Sequence, residues 1–172
     1  RQSVLREYSV VFTDRSLNSM SVPFQEVMRG LHDGLTEVYG ARTCALIPGG
    51  GSYAMESVAR QFARNENVLV IRNGWFSYRW TQIFDMCELP SSATVMKARR
   101  ADDVSESPFA PAPIEEVVAK IHEERPDVVF APHVETSAGI ILPDDYLKQM
   151  SQAVHEVGGL MVLDCIASGT VW

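Results

Sequence analysis

The sequence lacks two features that would place it in familiar classes of protein. None of its apolar runs approaches the roughly 20 residues needed to cross a membrane as a helix. It also lacks an excess of basic residues, since it has 15 lysines and arginines and 22 aspartates and glutamates, which give a formal net charge of −7. Domains that bind nucleic acid normally carry a basic face. We therefore expect neither a membrane nor a nucleic acid among the partners.

Cysteine is scarce as well. The three cysteines, Cys44, Cys87 and Cys165, match neither a metal-ligand motif nor a disulfide framework. Reduced thiols are usual in the cytosol, so we expect a cytoplasmic protein without a metal site. With 46% hydrophobic and 22% charged residues, the 172-residue chain otherwise has the composition of an ordinary globular domain.

From Phe24 onward, short apolar runs alternate with stretches of helical periodicity. The runs predict strands at 45–47, 68–71, 93–96, 128–131 and 160–163. The periodic stretches predict helices from Phe24 to a stop at Gly40, after the Gly49–Gly51 turn, from Trp75 to about Met86, from Ile114 to before Pro126, and from Pro143 to before Gly158. Residues 99–113 have loop composition. This alternation predicts a three-layer α/β/α domain with a mainly parallel sheet over 23–172, preceded by an arm at 1–22.

Ligands of such sheets bind at the carboxyl ends of the strands. That rule gathers four stretches at one edge: the turn 50–52, the turn 73–76, the loop 133–139 and Asp164. Each stretch also has a purely structural interpretation. The turn 50–52 could only reverse the chain, and the aromatic residues of 73–76 could belong to the core. The loop 133–139 could be held by hydrogen bonds of His133, and Asp164 could be a helix N-cap. Together, however, they offer backbone N–H groups for an anion, an aromatic face, hydroxyls and a buried carboxylate. A phosphorylated heteroaromatic ring with a basic nitrogen, such as pyridoxal phosphate (PLP), needs this set of groups.

Three stretches carry a resemblance to a known family: "GGGSYAMES", "RNGWFSYR", and "PHVETSAGIILP" followed by "GGLMVLDCIAS". In their order and spacing, the chain resembles the class V aminotransferases of the fold-type I PLP enzymes, in the alanine–glyoxylate and serine–glyoxylate branch. The resemblance runs from about Pro23 to Trp172. It implies an aspartate-aminotransferase-like large domain and the transfer of an amino group from an amino acid to a small 2-oxo acid such as glyoxylate or pyruvate.

The resemblance also implies roles for individual residues. By position, the cofactor-binding residues are Gly50, Gly51, Ser52, Phe76, Thr136, Asp164 and Ile166. The first three form the phosphate-binding turn, although some relatives have His where Ser52 stands. Phe76 and Ile166 cover the two faces of the ring, and Thr136 supplies a hydroxyl near the cofactor. Asp164 is the catalytic partner of the ring nitrogen, while Glu135 holds the loop that carries Thr136.

One element of the family pattern has no counterpart here. The family binds PLP through a Schiff-base lysine well beyond the aspartate, and Lys97, Lys120 and Lys148 all precede Asp164. We therefore expect an N-terminal part of a longer, homodimeric enzyme whose lysine and small domain lie elsewhere. Two alternatives stay open: another class V PLP enzyme, such as a cysteine desulfurase or lyase, and, for these residues alone, a module that binds a phosphate ligand or dimerises.

Overall fold

The computed structural model describes residues 18–100 and 102–170. The chain divides into two compact units, residues 1–48 and residues 49–172, which are described separately. Most of the predicted N-terminal arm, residues 1–17, lies outside the described residues.

The described part of the first unit, residues 18–48, contains the helix α1 (Val22–Tyr39). The Ser21 hydroxyl accepts a hydrogen bond from the N–H of Phe24 at 3.4 Å, and Gly40 ends the helix with φ 57°. The prediction of a helix here is confirmed. The predicted strand at 45–47 is wrong, because these residues form no strand. Leu46 and Ile47 stay 37% and 43% exposed, so this apolar run lacks the burial that would stabilise a strand.

The second unit alternates strands and helices. Its helices are α2 (Gly51–Phe62), α3 (Trp75–Cys87), α4 (Ile114–Glu124) and α5 (Asp144–Glu156). Its strands are β1 (Asn67–Arg72), β2 (Ser92–Lys97), β3 (Arg99–Arg100), β4 (Phe109–Ala110), β5 (Val128–Pro132), β6 (Val134–Glu135), β7 (Ile140–Ile141) and β8 (Leu160–Asp164). A 3-10 turn follows at Ser168–Thr170. No helix within 18–100 or 102–170 is both long and apolar enough to span a membrane.

Four strands form a parallel sheet in the order β2–β1–β5–β8. All four therefore end at the same edge, as the sequence predicts. Two short antiparallel pairs, β3 with β4 and β6 with β7, were not predicted. The first lies in the segment that the composition assigned to a loop.

Both faces of the sheet are covered, which explains why its strands are almost uniformly apolar. Leu69, Ile71 and Val129 pack on one face among residues of α4 and α5. Val68, Val70 and Phe130 pack on the other face among residues of α2 and α3. All six of these residues are 0% exposed. The α/β/α layering predicted from the sequence is confirmed.

Candidate functional site

The glycine-rich turn precedes α2, whose N-terminus lies beside the carboxyl end of β8 in the parallel sheet. Gly50 is the N-cap, in extended conformation, and no side chain caps the helix. The first N–H groups of α2 therefore lack intrahelical partners and lie at the positive end of the helix dipole. Gly49 has φ 130°, and a Cβ there would lie 2.7 Å from the Tyr53 ring. Glycine is thus required one residue before the predicted phosphate turn.

A cavity of about 380 Å³ opens beside this helix start. Its wall comes from α2, from α3 and from the end of β8 with the residues that follow it. Five of the predicted cofactor residues line it: Gly51, Ser52, Phe76, Asp164 and Ile166. The volume lies within the usual range for small-molecule sites, roughly 300–1,000 Å³. Three separate segments of the sequence are therefore brought together as the edge rule predicts.

The other two predicted residues lie differently. Gly50 stands at the start of α2, next to the lining residue Gly51. Thr136 lies in the exposed turn between β6 and β7 and is not among the residues that line the cavity. The structure thus places no hydroxyl from this turn in the cavity wall, and a contact of Thr136 with a cofactor stays a prediction.

Glu135, the neighbour of Thr136, fixes the beginning of α3. Its carboxylate is fully buried and accepts hydrogen bonds from the N–H of Phe76 at 3.1 Å and from the N–H and hydroxyl of Ser77 at 2.9 and 2.7 Å. The Ser137 hydroxyl donates a fourth bond. Burial acts to raise the pKa of Glu135, but these donors outweigh it and hold the pKa below its ordinary value. Glu135 therefore positions the segment that carries Phe76.

Close approach at this helix start requires a second glycine. Gly74 precedes α3, and a Cβ on it would lie 2.4 Å from the Ser137 hydroxyl and 2.7 Å from Cγ of Glu135. Its backbone is extended, at φ 178°, so the requirement comes from space and not from conformation. The Asn73–Gly74 pair in "RNGWFSYR" thus lets the Glu135 carboxylate reach the first N–H groups of α3.

Arg79 lines the cavity but is not among the site residues predicted from the sequence. Its Nη1 donates a hydrogen bond to the hydroxyl of Ser52. It forms no ion pair with any carboxylate of the described residues. A cation close to the positive end of a helix is unfavourable unless an anion lies between them. The sequence feature that could have identified Arg79 is its position three residues after Phe76, which places both residues on the same face of α3.

Trp80 lines the cavity and is held in the core of the second unit. Its side chain is 2% exposed and packs against Phe130, with ring centroids 4.7 Å apart. The indole Nε1 has no hydrogen-bond partner within the described residues. A buried N–H without an acceptor is costly, and this one has almost no accessible surface, so a ligand in the cavity does not contact it in this conformation.

Asp164 ends β8 at the edge of the cavity. One carboxylate oxygen, Oδ1, accepts a hydrogen bond from the N–H of Ile166 at 3.1 Å, which is a local turn at the strand end and not the cap of an α-helix. The His133 ring hydrogen-bonds through Nδ1 to the Ser168 hydroxyl at 2.7 Å. The backbone N–H of His133 donates to the backbone carbonyl oxygen of Asp164. His133 is therefore held as part of the structure around Asp164.

Comparisons with known proteins identify the fold. No protein-family model and no curated protein matches the chain. Among solved structures, the ureidoglycine–glyoxylate aminotransferase of Bacillus subtilis matches with a TM-score of 0.73 at 21% identity, over 92% of this chain and 38% of that one. The alanine–glyoxylate aminotransferase of Nostoc sp. matches with a TM-score of 0.68 at 19% identity, over 88% of this chain and 38% of that one. This chain has the aminotransferase fold.

A third match has a similar extent. The pyridoxamine–pyruvate aminotransferase of Mesorhizobium loti has a TM-score of 0.71 at 14% identity, over 92% of this chain and 38% of that one. The chain therefore spans well under half the length of the structures it resembles. The fold predicted from the family resemblance is confirmed, and identities this low establish the fold alone.

Proposed function

We propose that these residues form the cofactor-binding part of a PLP-dependent aminotransferase of class V. The observation that carries the proposal is the cavity in which the α2 N-terminus, Phe76, Arg79 and Asp164 converge. It combines two positive groups, a flat aromatic side chain and a carboxylate in one space of about 380 Å³. The aminotransferase fold supports the same function.

The residues present fit the phosphate of PLP. The uncapped N–H groups at Gly51 and Ser52 and the guanidinium of Arg79, which forms no ion pair within the described residues, provide donors and positive charge together. Gly51 also fits, because a Cβ at this position would lie 3.0 Å from Cδ1 of Ile166 and would narrow the cavity.

The remaining lining residues fit the ring. Phe76 and Ile166 provide apolar surfaces that would cover the two ring faces and exclude water from them. The carboxylate of Asp164 would hold a proton on the ring nitrogen, because an opposite charge nearby favours the protonated form. PLP, when bound, supplies an electron sink that stabilises the carbanion formed on an amino acid substrate. Glu135 would act through α3, by keeping Phe76 in place.

The proposed reaction moves an amino group from an amino acid to a small 2-oxo acid such as glyoxylate or pyruvate. We also propose a cytoplasmic homodimer, in which a lysine outside these residues completes the site. A lyase is the second candidate, since a PLP-bound C–S lyase of Staphylococcus hominis shares the fold with a TM-score of 0.55 at 10% identity. We place transamination first because the sequence motifs resemble the alanine–glyoxylate and serine–glyoxylate branch; the TM-scores of the three aminotransferases, from 0.68 to 0.73, describe the fold alone.

The test uses the purified full-length protein. PLP is titrated while the cofactor absorbance is followed, and the loaded protein is assayed with a panel of amino acids against glyoxylate and pyruvate. We expect saturable PLP binding and formation of the matching 2-oxo acid and amino acid. PLP binding followed by release of sulfide or another leaving group, without amino transfer, would favour the lyase. Absence of saturable PLP binding would refute both.

A further inference from the structure

We propose that His133 is a positioning residue, which holds the carboxylate of Asp164 in place for the ring nitrogen of the cofactor. The proposal rests on the function proposed above, since it concerns how one side chain of the PLP cavity is oriented. His133 is half-buried and is not among the residues that line that cavity. It therefore acts on the site through the segment that follows β8, residues 164–168, called here the Asp164 turn.

The Asp164 turn continues the cavity wall beyond the end of β8. Asp164, Cys165 and Ile166 line the cavity, and Ile166 is 75% exposed, so the core does not hold the tip of the turn. The N–H of Ile166 donates to Oδ1 of Asp164 at 3.1 Å, and the N–H of Ser168 donates to the carbonyl oxygen of Cys165 at 3.0 Å. These local bonds shape the turn, but they do not by themselves attach its far end to the rest of the unit.

His133 contacts both ends of the Asp164 turn. Its backbone N–H donates to the carbonyl oxygen of Asp164 at 2.9 Å, next to the last pair of the β5–β8 ladder, Pro132 with Asp164. Its ring Nδ1 lies 2.7 Å from the hydroxyl oxygen of Ser168. Ser168 is 0% exposed, so its hydroxyl depends on a partner inside the protein, and the His133 ring provides one. A hydroxyl both donates and accepts, so this bond forms with either tautomer of the ring.

The backbone of His133 is itself anchored in the core, which a positioning residue requires. Its carbonyl oxygen accepts a hydrogen bond from the N–H of Leu142 at 2.9 Å, which closes the base of the β6–β7 hairpin. Leu142 is 0% exposed and belongs to the core cluster that contains Leu69 and Ile71. The Asp164 turn is therefore attached through His133 to the most rigid part of the second unit.

The same hairpin also holds another part of the cavity wall. Glu135, two residues after His133, accepts a hydrogen bond from the N–H of Phe76 at 3.1 Å. One segment of the chain thus fixes both Phe76 and the Asp164 turn. The position of the carboxylate relative to the aromatic face is therefore set by the hairpin, and His133 is the link on the Asp164 side.

The proposal predicts a change at the ring nitrogen when the His133 side chain is replaced. The test uses the full-length protein loaded with PLP that carries ¹⁵N in its ring, and NMR follows the pH at which this nitrogen loses its proton. His133→Leu cannot hydrogen-bond Ser168, so we expect this pH to fall by about 1 unit, because an opposite charge that is well placed shifts a pKa by about 1–3 units. Arg79 and the N-terminus of α2 also act on the cofactor, but they are the same in every variant.

Activity and binding should respond unequally in His133→Leu. A displacement of a reacting group by about 1 Å can cost about a hundredfold in rate, so we expect kcat to fall by about tenfold or more. PLP affinity should change by less than about threefold, because the groups proposed to bind the phosphate are untouched. A merely structural loss would instead lower PLP occupancy and leave the ring nitrogen of the bound cofactor unchanged.

Three further variants identify the hydrogen bond to Ser168 as the cause. His133→Asn is the rescue variant, since its amide reaches about as far as Nδ1, and it should restore most of the wild-type titration. Ser168→Ala removes the same bond by deleting one oxygen, so it should repeat the effect even where His133→Leu does not fold, as checked by urea unfolding. His155→Leu is the matched control, because His155 is exposed on α5 and does not line the cavity.

Three results would each overturn the positioning role. They are an unchanged ring-nitrogen titration in Ser168→Ala or in a folded His133→Leu, a His133→Asn variant that behaves like His133→Leu, and an equal shift in His155→Leu. A wild-type protein that binds no PLP would refute the proposed function together with this inference. A wild-type protein that binds PLP with a protonated ring, beside variants that titrate in the same way, would refute the inference alone.

Discussion

Replacing Glu135 by glutamine tests whether the start of α3 depends on a buried carboxylate. The two carboxylate oxygens accept four hydrogen bonds, from Phe76, from Ser77 twice and from Ser137. Glutamine keeps one acceptor oxygen but turns an NH₂ group toward donors that then lose their acceptor. Hydrogen bonds to a charged group contribute roughly 1.5–3 kcal/mol each. With partial relaxation, we expect the free energy of unfolding to fall by about 3 kcal/mol.

Urea unfolding at neutral pH measures this loss. The matched control is Glu123→Gln, because Glu123 forms an exposed ion pair with Lys120 at 2.6 Å and its side chain is 67% exposed. We expect the control to lose less than about 1 kcal/mol, the usual range for surface ion pairs. Equal losses in the two variants would refute the reasoning, since the chemical change is the same and only the environment differs.

The pH dependence provides an independent check on Glu135. Its pKa is lower in the folded protein than in the unfolded chain, so its contribution to stability is fully present above the unfolded pKa, near 4.3. The contribution is lost as the pH falls through the folded pKa. The difference in unfolding free energy between wild type and Glu135→Gln should therefore be largest at neutral pH and shrink below about pH 4. A difference that grows in acid would contradict the direction of the shift.

Three further predictions concern the PLP cavity in the full-length protein. Gly51→Val should weaken PLP binding by more than about tenfold with little loss of stability, because the added atoms meet the side chain of Ile166 and not the core. Spectroscopic titration measures the PLP binding, and urea unfolding measures the stability. Arg79→Gln should weaken binding of PLP but not of pyridoxal, which lacks the phosphate, and equal losses for both would remove Arg79 from the phosphate site. Asp164→Asn should lower kcat by about a hundredfold or more while PLP stays bound, and Asp164→Glu should lose less; near-wild-type single-turnover rates for Asp164→Asn would contradict the proposed role.

The parallel sheet was predictable because its strands are buried on both faces. Val68, Val70 and Phe130 contact one helical layer while Leu69 and Ile71 contact the other, so apolar side chains occupy consecutive positions. Such runs stand out in the sequence without knowledge of strand order. The order β2–β1–β5–β8 depends on contacts between distant segments, and the periodicity contains no information about them.

The errors arose where local pattern and tertiary context diverge. Residues 45–47 have the composition of a strand, but Leu46 and Ile47 remain exposed and form none. Conversely, β3 and β4 are two residues each, and Arg99 and Arg100 have no apolar alternation. Their pairing is accompanied by a contact of the Arg100 guanidinium with the Phe109 ring, 5.1 Å from its centroid. Contacts of this kind join residues about ten positions apart and leave no short-range signal.

The site was predictable where a residue sits at the end of a strand or the start of a helix. The cavity-lining positions Gly51, Phe76 and Asp164 were identified in this way, since the edge of a parallel sheet collects such positions, while their roles toward a cofactor stay predictions. Arg79 was not, because an arginine within an amphipathic helix usually lies on a solvated face. Its significance depends on the approach of α3 to the first turn of α2, where it meets Ser52.

In the segment "ETSAG", the residue that the structure connects to the cavity is Glu135 and not its neighbour Thr136. The family resemblance directs attention to Thr136, but the structure places that side chain in an exposed turn. The group that links this turn to the cavity is Glu135, which holds the N–H groups of Phe76 and Ser77. The loop therefore has a structural reason for an acid at this position that is independent of any direct cofactor contact. Loss of Glu135 should displace Phe76 even if Thr136 touches nothing in the cavity.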